Sequence, residues 1–212
     1  MKKMFLDFEK LEPKIRYKLI TASIVPRPIA LVTTRNKDGS TNAAPFSFFN
    51  VFSEDPPLVV LGLQTKPDKS LKDTTTNIRN TGEFVVNLVD DKMVEKMVVC
   101  AADYPKGESE SVHAELKLSQ SKKINVDYIT ESPFSFECKR ITVLQFSNTR
   151  DLAIGEILGM HARKSLIDLK NYHVNWSKYH PIGRLFASHY IYTCLLYTSP
   201  SPRDATLSRM PS

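Results

Sequence analysis

Residues 23–50, SIVPRPIALVTTRNKDGSTNAAPFSFFN, constrain the fold more than any other part of this chain. Pro26 and Pro28 fix the entry, and Ile29, Ala30, Leu31 and Val32 form a short apolar run of β type. Asn36-Lys37-Asp38-Gly39 then supplies a turn in which Gly39 is free to take positive φ. The chain returns from Ala43 to Asn50, so the segment reads as a hairpin whose first strand ends at Thr33 and Thr34. Ala43, Ala44 and Pro45 leave room for something flat to approach the backbone, and Ser47, Phe48, Phe49 and Asn50 surround that room with hydroxyl, aromatic and amide groups. The residues alone fit two outcomes: a hairpin that binds a planar cofactor, or an ordinary core hairpin of a β domain.

With 212 residues, 42% hydrophobic and 25% charged, the chain fits one domain with a substantial core. No apolar run approaches the length that crosses a membrane, and the opening MKKMFLDFEK turns acidic before it forms the centre of a secretory signal. The expectation is a cytoplasmic protein with no membrane partner. Cys100, Cys138 and Cys194 show neither CxxC nor Cys/His spacing, which argues against a metal site and a disulfide framework. The net charge of +6 is scattered rather than gathered with aromatics, so nucleic acid is not an expected partner. A mild positive excess does suit an anionic cofactor.

Leu11, Ile15, Leu19 and Ile20 recur at near-helical spacing and predict a lead-in helix over 11–21, with Pro13 in its first turn. Residues 58–63 form a continuous apolar run, which reads as a strand buried on both faces. Ser70 followed by Asp73 has the form of a capping box opening a helix that ends near Thr81-Gly82. That helix start, with Lys72, Ser70 and Thr74, is either a phosphate site or a solvated surface helix. Residues 83–89 read as a strand, and Met93 and Met97 as the core face of a helix. Residues 100–121 are polar and irregular, either a lid over a ligand or a plain surface loop. Two long antiparallel strands over 134–146 and 152–162 follow, with Cys138 pointing into a β core. The histidines, His113, His161, His173, His180 and His189, are dispersed, and no Ser/His/Asp, Cys/His or paired-carboxylate arrangement stands out. No catalytic side chain is therefore assigned.

PRPIALVTT followed by APFSFFNVFSEDPPLVVLGL resembles the flavin reductase-like family of FMN-binding split barrels, a group that includes flavoredoxin. The similarity runs over 17–193. It implies a mainly β fold with short helices, an antiparallel split barrel of about six strands, in a single domain over 1–193. It further implies FMN as cofactor, NAD(P)H as a possible co-substrate, a small-molecule or protein redox partner, and a homodimer with the flavin near the interface. Lys72, Asp73, Thr74 and Asn77 match the family's phosphate region, and Gly183-Arg184-Leu185 match a segment that approaches the flavin. On this reading Thr33, Thr34, Ser47 and Asn50 offer hydrogen bonds to the ribityl chain and ring edge, beside the small wall of Ala44 and Pro45. Ser70, Lys72, Asp73 and Thr74 surround the phosphate, and Phe48 and Phe49 flank the ring, one of them turned to the core. Arg27 reaches phosphate or ring, or pairs on the surface; Arg27 or Arg184 near the ring would favour the reduced anion.

Dedicated NAD(P)H:flavin reductases of this superfamily usually carry a Gly-Asp-His segment where this chain has Asn148-Thr149-Arg150-Asp151. That departure moves the chain toward the flavoredoxin-type branch, an FMN electron carrier without substrate chemistry of its own. A related barrel holding a deazaflavin, haem or pyridoxal phosphate is a third outcome. Residues 194–204, CLLYTSPSPRD, resemble the translation of a sequencing adapter, and Ser208-Arg-Met-Pro-Ser the outer part of the same reagent. Residues 194–212 are accordingly expected to be an artefact, Cys194 with them.

Overall fold

The computed structural model describes residues 3–102, 104 and 108–193. The adapter-like tail, including Cys194, lies outside them. Strands β1 (Ala30–Arg35) and β2 (Thr41–Phe46) form the expected hairpin, in register from Ala30 opposite Phe46 to Arg35 opposite Thr41, with Gly39 at φ +87° in the turn. The return strand is not continuous to Asn50. It stops at Phe46, and β3 (Phe49–Glu54) starts a new pairing with β4 (Pro57–Gln64). Between them Phe48 lies against β4: its carbonyl accepts the Gly62 N–H at 2.7 Å, and a Cβ on Gly62 would sit 2.8 Å from the Phe48 Cβ. Only glycine allows that crossing.

With β5 (Glu83–Leu88), β8 (Phe134–Ser147) and β9 (Arg150–Ala162), the chain builds a seven-stranded sheet in the order β2-β1-β5-β8-β9-β4-β3, while the dipeptide strands β6 (Leu118–Ser119) and β7 (Tyr128–Ile129) pair only with each other. Its two edge strands are joined by Ser47 and Phe48 alone, so the sheet must roll until its edges meet. This is an antiparallel split barrel. Inside it lie Val32, Leu61, Leu63, Ile78, Phe84, Val86 and Cys138. Burial along β4 alternates: Val59, Leu61 and Leu63 face the core, while Leu58, Val60 and Gly62 are only half-buried. The expectation of burial on both faces is corrected, because a barrel strand has one inside.

Around the barrel, among the described residues, lie the helices α1 (Pro13–Ser23), α2 (Asp73–Thr81), α3 (Val94–Val99) and α4 (Glu110–His113) and, besides β6–β7, the ribbons β10 (Ile167–Asp168) with β11 (His173–Val174) and β12 (Ile182–Arg184) with β13 (Tyr190–Tyr192). Met93 and Met97 are buried in a second core beneath β1, as their spacing predicts. α2 ends at Gly82 in the left-handed conformation, but the capping box does not form. Lys72 occupies the N-cap without a side-chain cap, because the Ser70 hydroxyl is committed to Asp68 Oδ1 at 2.6 Å inside the preceding turn. No helix among the described residues is long and apolar enough to cross a membrane.

On β8 Glu137 is buried, accepting hydrogen bonds from the Lys122 and Lys123 N–H groups and His161 Nε2 at 2.8, 2.6 and 2.5 Å. Burial opposes its charged form, yet these donors together outweigh burial and hold the carboxyl below its ordinary range. A depressed folded pKa stabilises the fold above the unfolded value and loses that contribution as pH falls through the folded one. Glu137→Gln is expected to cost about 1–3 kcal/mol at neutral pH. Urea denaturation should show the gap to the parent narrowing below about pH 4; a gap of constant size would count against this account.

Candidate functional site

A cavity of about 740 Å³ opens between α1, the β2 strand with its exit at Ser47, the start of α2, Cys100, Ala101, Ala102, Tyr104 and Glu110, and the β12–β13 ribbon. This volume falls in the range of small-molecule sites. Eight of the sequence-predicted residues line it: Arg27, Ala44, Pro45, Ser47, Lys72, Asp73, Thr74 and Arg184. Ala44 and Pro45 form the small wall expected of them, and Phe48 borders an adjoining recess of about 170 Å³ with Tyr17, Gly62 and Lys72.

The remaining candidates lie elsewhere. Thr33 and Thr34 are fully buried with their hydroxyls already engaged. Thr33 donates to the Asp127 carbonyl at 2.7 Å, and Thr34 accepts from the side chains of Asn42 and Asn77 at 3.2 and 3.0 Å. The same Asn42 amide reaches Thr74 at 2.9 Å. Thr34 is thus the buried hub that fixes α2 on the barrel beside the cavity, and it offers nothing to a ligand. Phe49 packs against the barrel core, Asn50 is exposed with its side-chain Oδ1 accepting the Val51 N–H, and Ser70 stays in its turn. Of the two phenylalanines, Phe49 is the one turned inward.

Arg27 is neither a surface pair nor a free ligand-binding group. It is buried, and Nη1 donates to the Thr21 and Ile24 carbonyls at 2.5 and 3.0 Å while Nη2 donates to the Leu185 carbonyl at 2.9 Å. The end of α1 is thereby tied to the β12 ribbon. Arg184 stacks on Tyr190, its guanidinium 4.4 Å from the ring centroid and bonded to the hydroxyl. Burial lowers its pKa from the ordinary arginine value.

Other lining residues escaped sequence reasoning: Lys14, Tyr17, Lys18 and Thr21 on α1, and Asn42, Lys66, Tyr104 and Glu110. The four on α1 recur at i, i+3, i+4 and i+7, a polar stripe as periodic as the apolar one that predicted the helix. Thr21 is the buried residue of this helix, and Ile15 and Ile20 are exposed along with Lys14, Tyr17 and Lys18. Glu110 forms part of the cavity wall and is held there by its neighbours: the Ser109 and Ser111 hydroxyls donate to the Thr41 carbonyl on the β2 edge at 2.7 and 3.0 Å. Burial raises the Glu110 carboxyl above its ordinary range and, with Glu110 nearby, pushes the Cys100 thiol up to about 12. Cys100 is a neutral thiol at the cavity wall, and Cys138 is fully buried in the barrel core. No cluster of three or more metal-ligating side chains occurs among the described residues.

The model of the flavin reductase like domain matches residues 22–182. An uncharacterized Aquifex aeolicus protein is 39% identical over 82% of this chain and 88% of its own length. Bacillus subtilis YwrF is 36% identical over 86% and 91%. Among solved structures, Pseudomonas fluorescens 2-nitrobenzoate 2-nitroreductase NbaA is 37% identical, with 99% of both chains covered and a TM-score of 0.86. Nitrilotriacetate monooxygenase component B from Bacillus cereus is 30% identical over 94% of this chain and 100% of its own, with a TM-score of 0.88. Through the match to 22–182, which holds the whole barrel and most of the cavity wall, the chain belongs to the flavin reductase-like family.

Proposed function

We propose that this protein binds FMN in the cavity and acts as an oxidoreductase, passing electrons from NAD(P)H or a protein donor to a small-molecule acceptor or redox partner. The observation that carries this is the lining itself. Lys14, Lys18, Arg27, Lys66, Lys72 and Arg184 bring positive charge to it, against Asp73 and Glu110, beside a small wall at Ala44 and Pro45. A phosphorylated, flat molecule needs that combination. FMN, when bound, supplies the redox chemistry, so the protein has only to place it, tune its charge and keep water away. Lys72 and Thr74 are suited to the phosphate, Ser47 to the ring edge or ribityl chain, and Arg184 to favouring a reduced anionic ring. Tyr17, Phe186 and Tyr190 close the apolar side.

The first test is the visible spectrum of the purified protein, then anaerobic addition of NADH and NADPH. A flavin spectrum that bleaches supports the oxidoreductase; a colourless protein that takes up no added FMN overturns it. Flavin that stays oxidised supports the second reading, a flavoredoxin-type carrier reduced by a partner protein. The β8–β9 turn favours that second reading, since Asp151 there is held by Arg79 at 2.6 Å and none of Asn148, Thr149, Arg150 or Asp151 reaches the cavity. Lys72→Ala should weaken FMN binding by about 1.5–3 kcal/mol, one charge-assisted contact, read by fluorescence titration. Unchanged affinity would remove Lys72 from the site.

A homodimer accompanies this reading. Phe52, Ile141, Leu144 and Phe146 expose apolar surface on the strands β3 and β8, at 68, 53, 44 and 70%. Such a surface suits a second copy of the chain. Light scattering should give a dimer at micromolar concentration, and Leu144→Asp with Phe146→Asp should shift it to monomer. The working compartment under this reading is the cytoplasm, where Cys100 and Cys138 stay reduced.

A further inference from the structure

The charge of the cavity is divided unevenly along its length. On the α2 side, Lys66 and Lys72 face Asp73 and Glu110, and Lys66 Nζ lies 3.6 Å from the Asp73 carboxylate. Positive and negative groups there are matched. On the α1 side, Lys14, Lys18, Arg27 and Arg184 line the same cavity, and none of them pairs with a carboxylate among the described residues. Arg27 is satisfied by carbonyl oxygens and Arg184 by Tyr190, which pair their donors without cancelling their charge. Arg27 and Arg184 are also direct neighbours, each backbone N–H bonding to the other's carbonyl at 3.0 and 2.8 Å.

The helix adds to this field. Lys14 and Lys18 stand one turn apart on one face, a spacing at which like charges repel. Lys14 sits in the first turn, where the helix dipole is already positive, and that turn holds no acidic residue. Glu12 precedes it, makes no side-chain cap and does not line the cavity. α1 buries only Thr21, the last residue of this face, so packing does not account for Lys14 and Lys18, which are exposed. Lys14, Lys18 and Arg184 thus leave this side of the recess with a positive excess that an entering anion would offset, whereas Arg27 already faces the carbonyls at the negative end of α1.

A single flavin phosphate is already provided for by Lys72 and Thr74. We infer that the α1 side of the cavity recognises the anionic group of the second substrate, the molecule that exchanges electrons with the flavin. The inference rests on the flavin-binding reading proposed above. Lys14 and Lys18 receive the anion at the cavity mouth, Arg184 lies deeper, and the aromatic side chains of Tyr17, Phe186 and Tyr190 accept a planar body. The acceptor class is then a small aromatic carboxylate; the same charge chemistry is offered by the pyrophosphate of a nicotinamide dinucleotide.

The test is calorimetric titration of the flavin-loaded protein with 2-nitrobenzoate, with its uncharged analogue nitrobenzene, and with oxidised NAD and NADP, for the parent and for Lys14→Gln/Lys18→Gln. The variant should lose about tenfold in affinity for one of the anionic ligands relative to nitrobenzene, the scale of one charge contact, and high salt should abolish the difference. Loss confined to 2-nitrobenzoate identifies a carboxylate substrate, and loss confined to the dinucleotides identifies the electron donor. Anionic and neutral ligands responding alike would overturn the inference. So would a tenfold loss of flavin affinity in the variant, which would give these lysines to the cofactor while leaving the proposed function standing. A parent protein that retains no flavin would instead overturn the proposed function, and calorimetry on that same protein would still read the anion site.

Discussion

Arg27→Met should destabilise the protein by about 3–5 kcal/mol, the scale of breaking a buried, fully bonded charged group, and should detach α1. Arg27 is 7% exposed and donates to the carbonyls of Thr21, Ile24 and Leu185, with Ser47 Oγ at 3.4 Å from Nε. Thr21 and Ile24 are at the C-terminal end of α1, where helix carbonyls have no partner of their own. Methionine keeps the length of the stem and removes every donor, so these carbonyls lose their partners in a place that excludes water. Arg27→Lys should not restore the parent, because one ammonium cannot span acceptors that a planar fork reaches in separate directions. Because Lys14, Tyr17 and Lys18 travel with the helix, ligand affinity should fall along with stability. Urea denaturation and flavin titration on the same preparations check both halves. A methionine variant as stable as the parent would show that α1 is held by something else.

The second large effect lies inside the barrel. A Cβ on Gly155 would stand 2.4 Å from Cζ and 2.8 Å from Cε1 of Phe84, whose ring is fully buried. Gly155 is paired on β9 between Val59 of β4 and Arg140 of β8, so the backbone cannot retreat without breaking two ladders. Gly155→Ala should therefore cost about 1–3 kcal/mol by overpacking. Phe84→Ala should cost about 3–5 kcal/mol by leaving a void. Together they should cost less than their sum, because the new methyl group occupies space that the lost ring vacates. Strict additivity in a denaturation cycle would mean that the two residues do not share that space.

Much of the architecture was legible because it depends on local patterns. The Asn36–Gly39 turn, the strand over 83–89, the long pair over 134–146 and 152–162 and the methionine face of the helix over 94–99 each follow from spacing within one element. What failed depended on contacts across the chain. Residues 43–50 alternate like one strand, and nothing local marks Ser47 and Phe48 as the point where the backbone leaves one sheet edge for the other. The requirement is set by Gly62, far along in sequence. Ser70 and Asp73 have capping-box spacing, but Asp68 competes for the serine hydroxyl at shorter range. Thr33 and Thr34 carry the right donors for a ribityl chain, yet Asn42, Asn77, Asn87 and Asp127 claim them from four separate segments. The site was half legible for the same reason: small and basic residues near the hairpin were visible, while the stripe on α1 was overlooked in favour of its apolar neighbours.

The cavity wall is assembled from residues as distant as Lys14 and Tyr190, and this governs the order in which the molecule can come together. The β1–β2 and β8–β9 hairpins close short loops and can form early, whereas the pairing of β1 with β5 must wait for a strand about fifty residues on, and α1 must wait for the β12 ribbon. The binding site should consequently be among the last features to form, which hydrogen exchange during refolding would check. A ligand held there couples to the whole folding transition and stabilises the native state by about 2.7 kcal/mol at a hundredfold excess over its dissociation constant. Nascent or cofactor-starved chains should then be the ones that proteases cut, first at the helix that Arg27 has not yet captured.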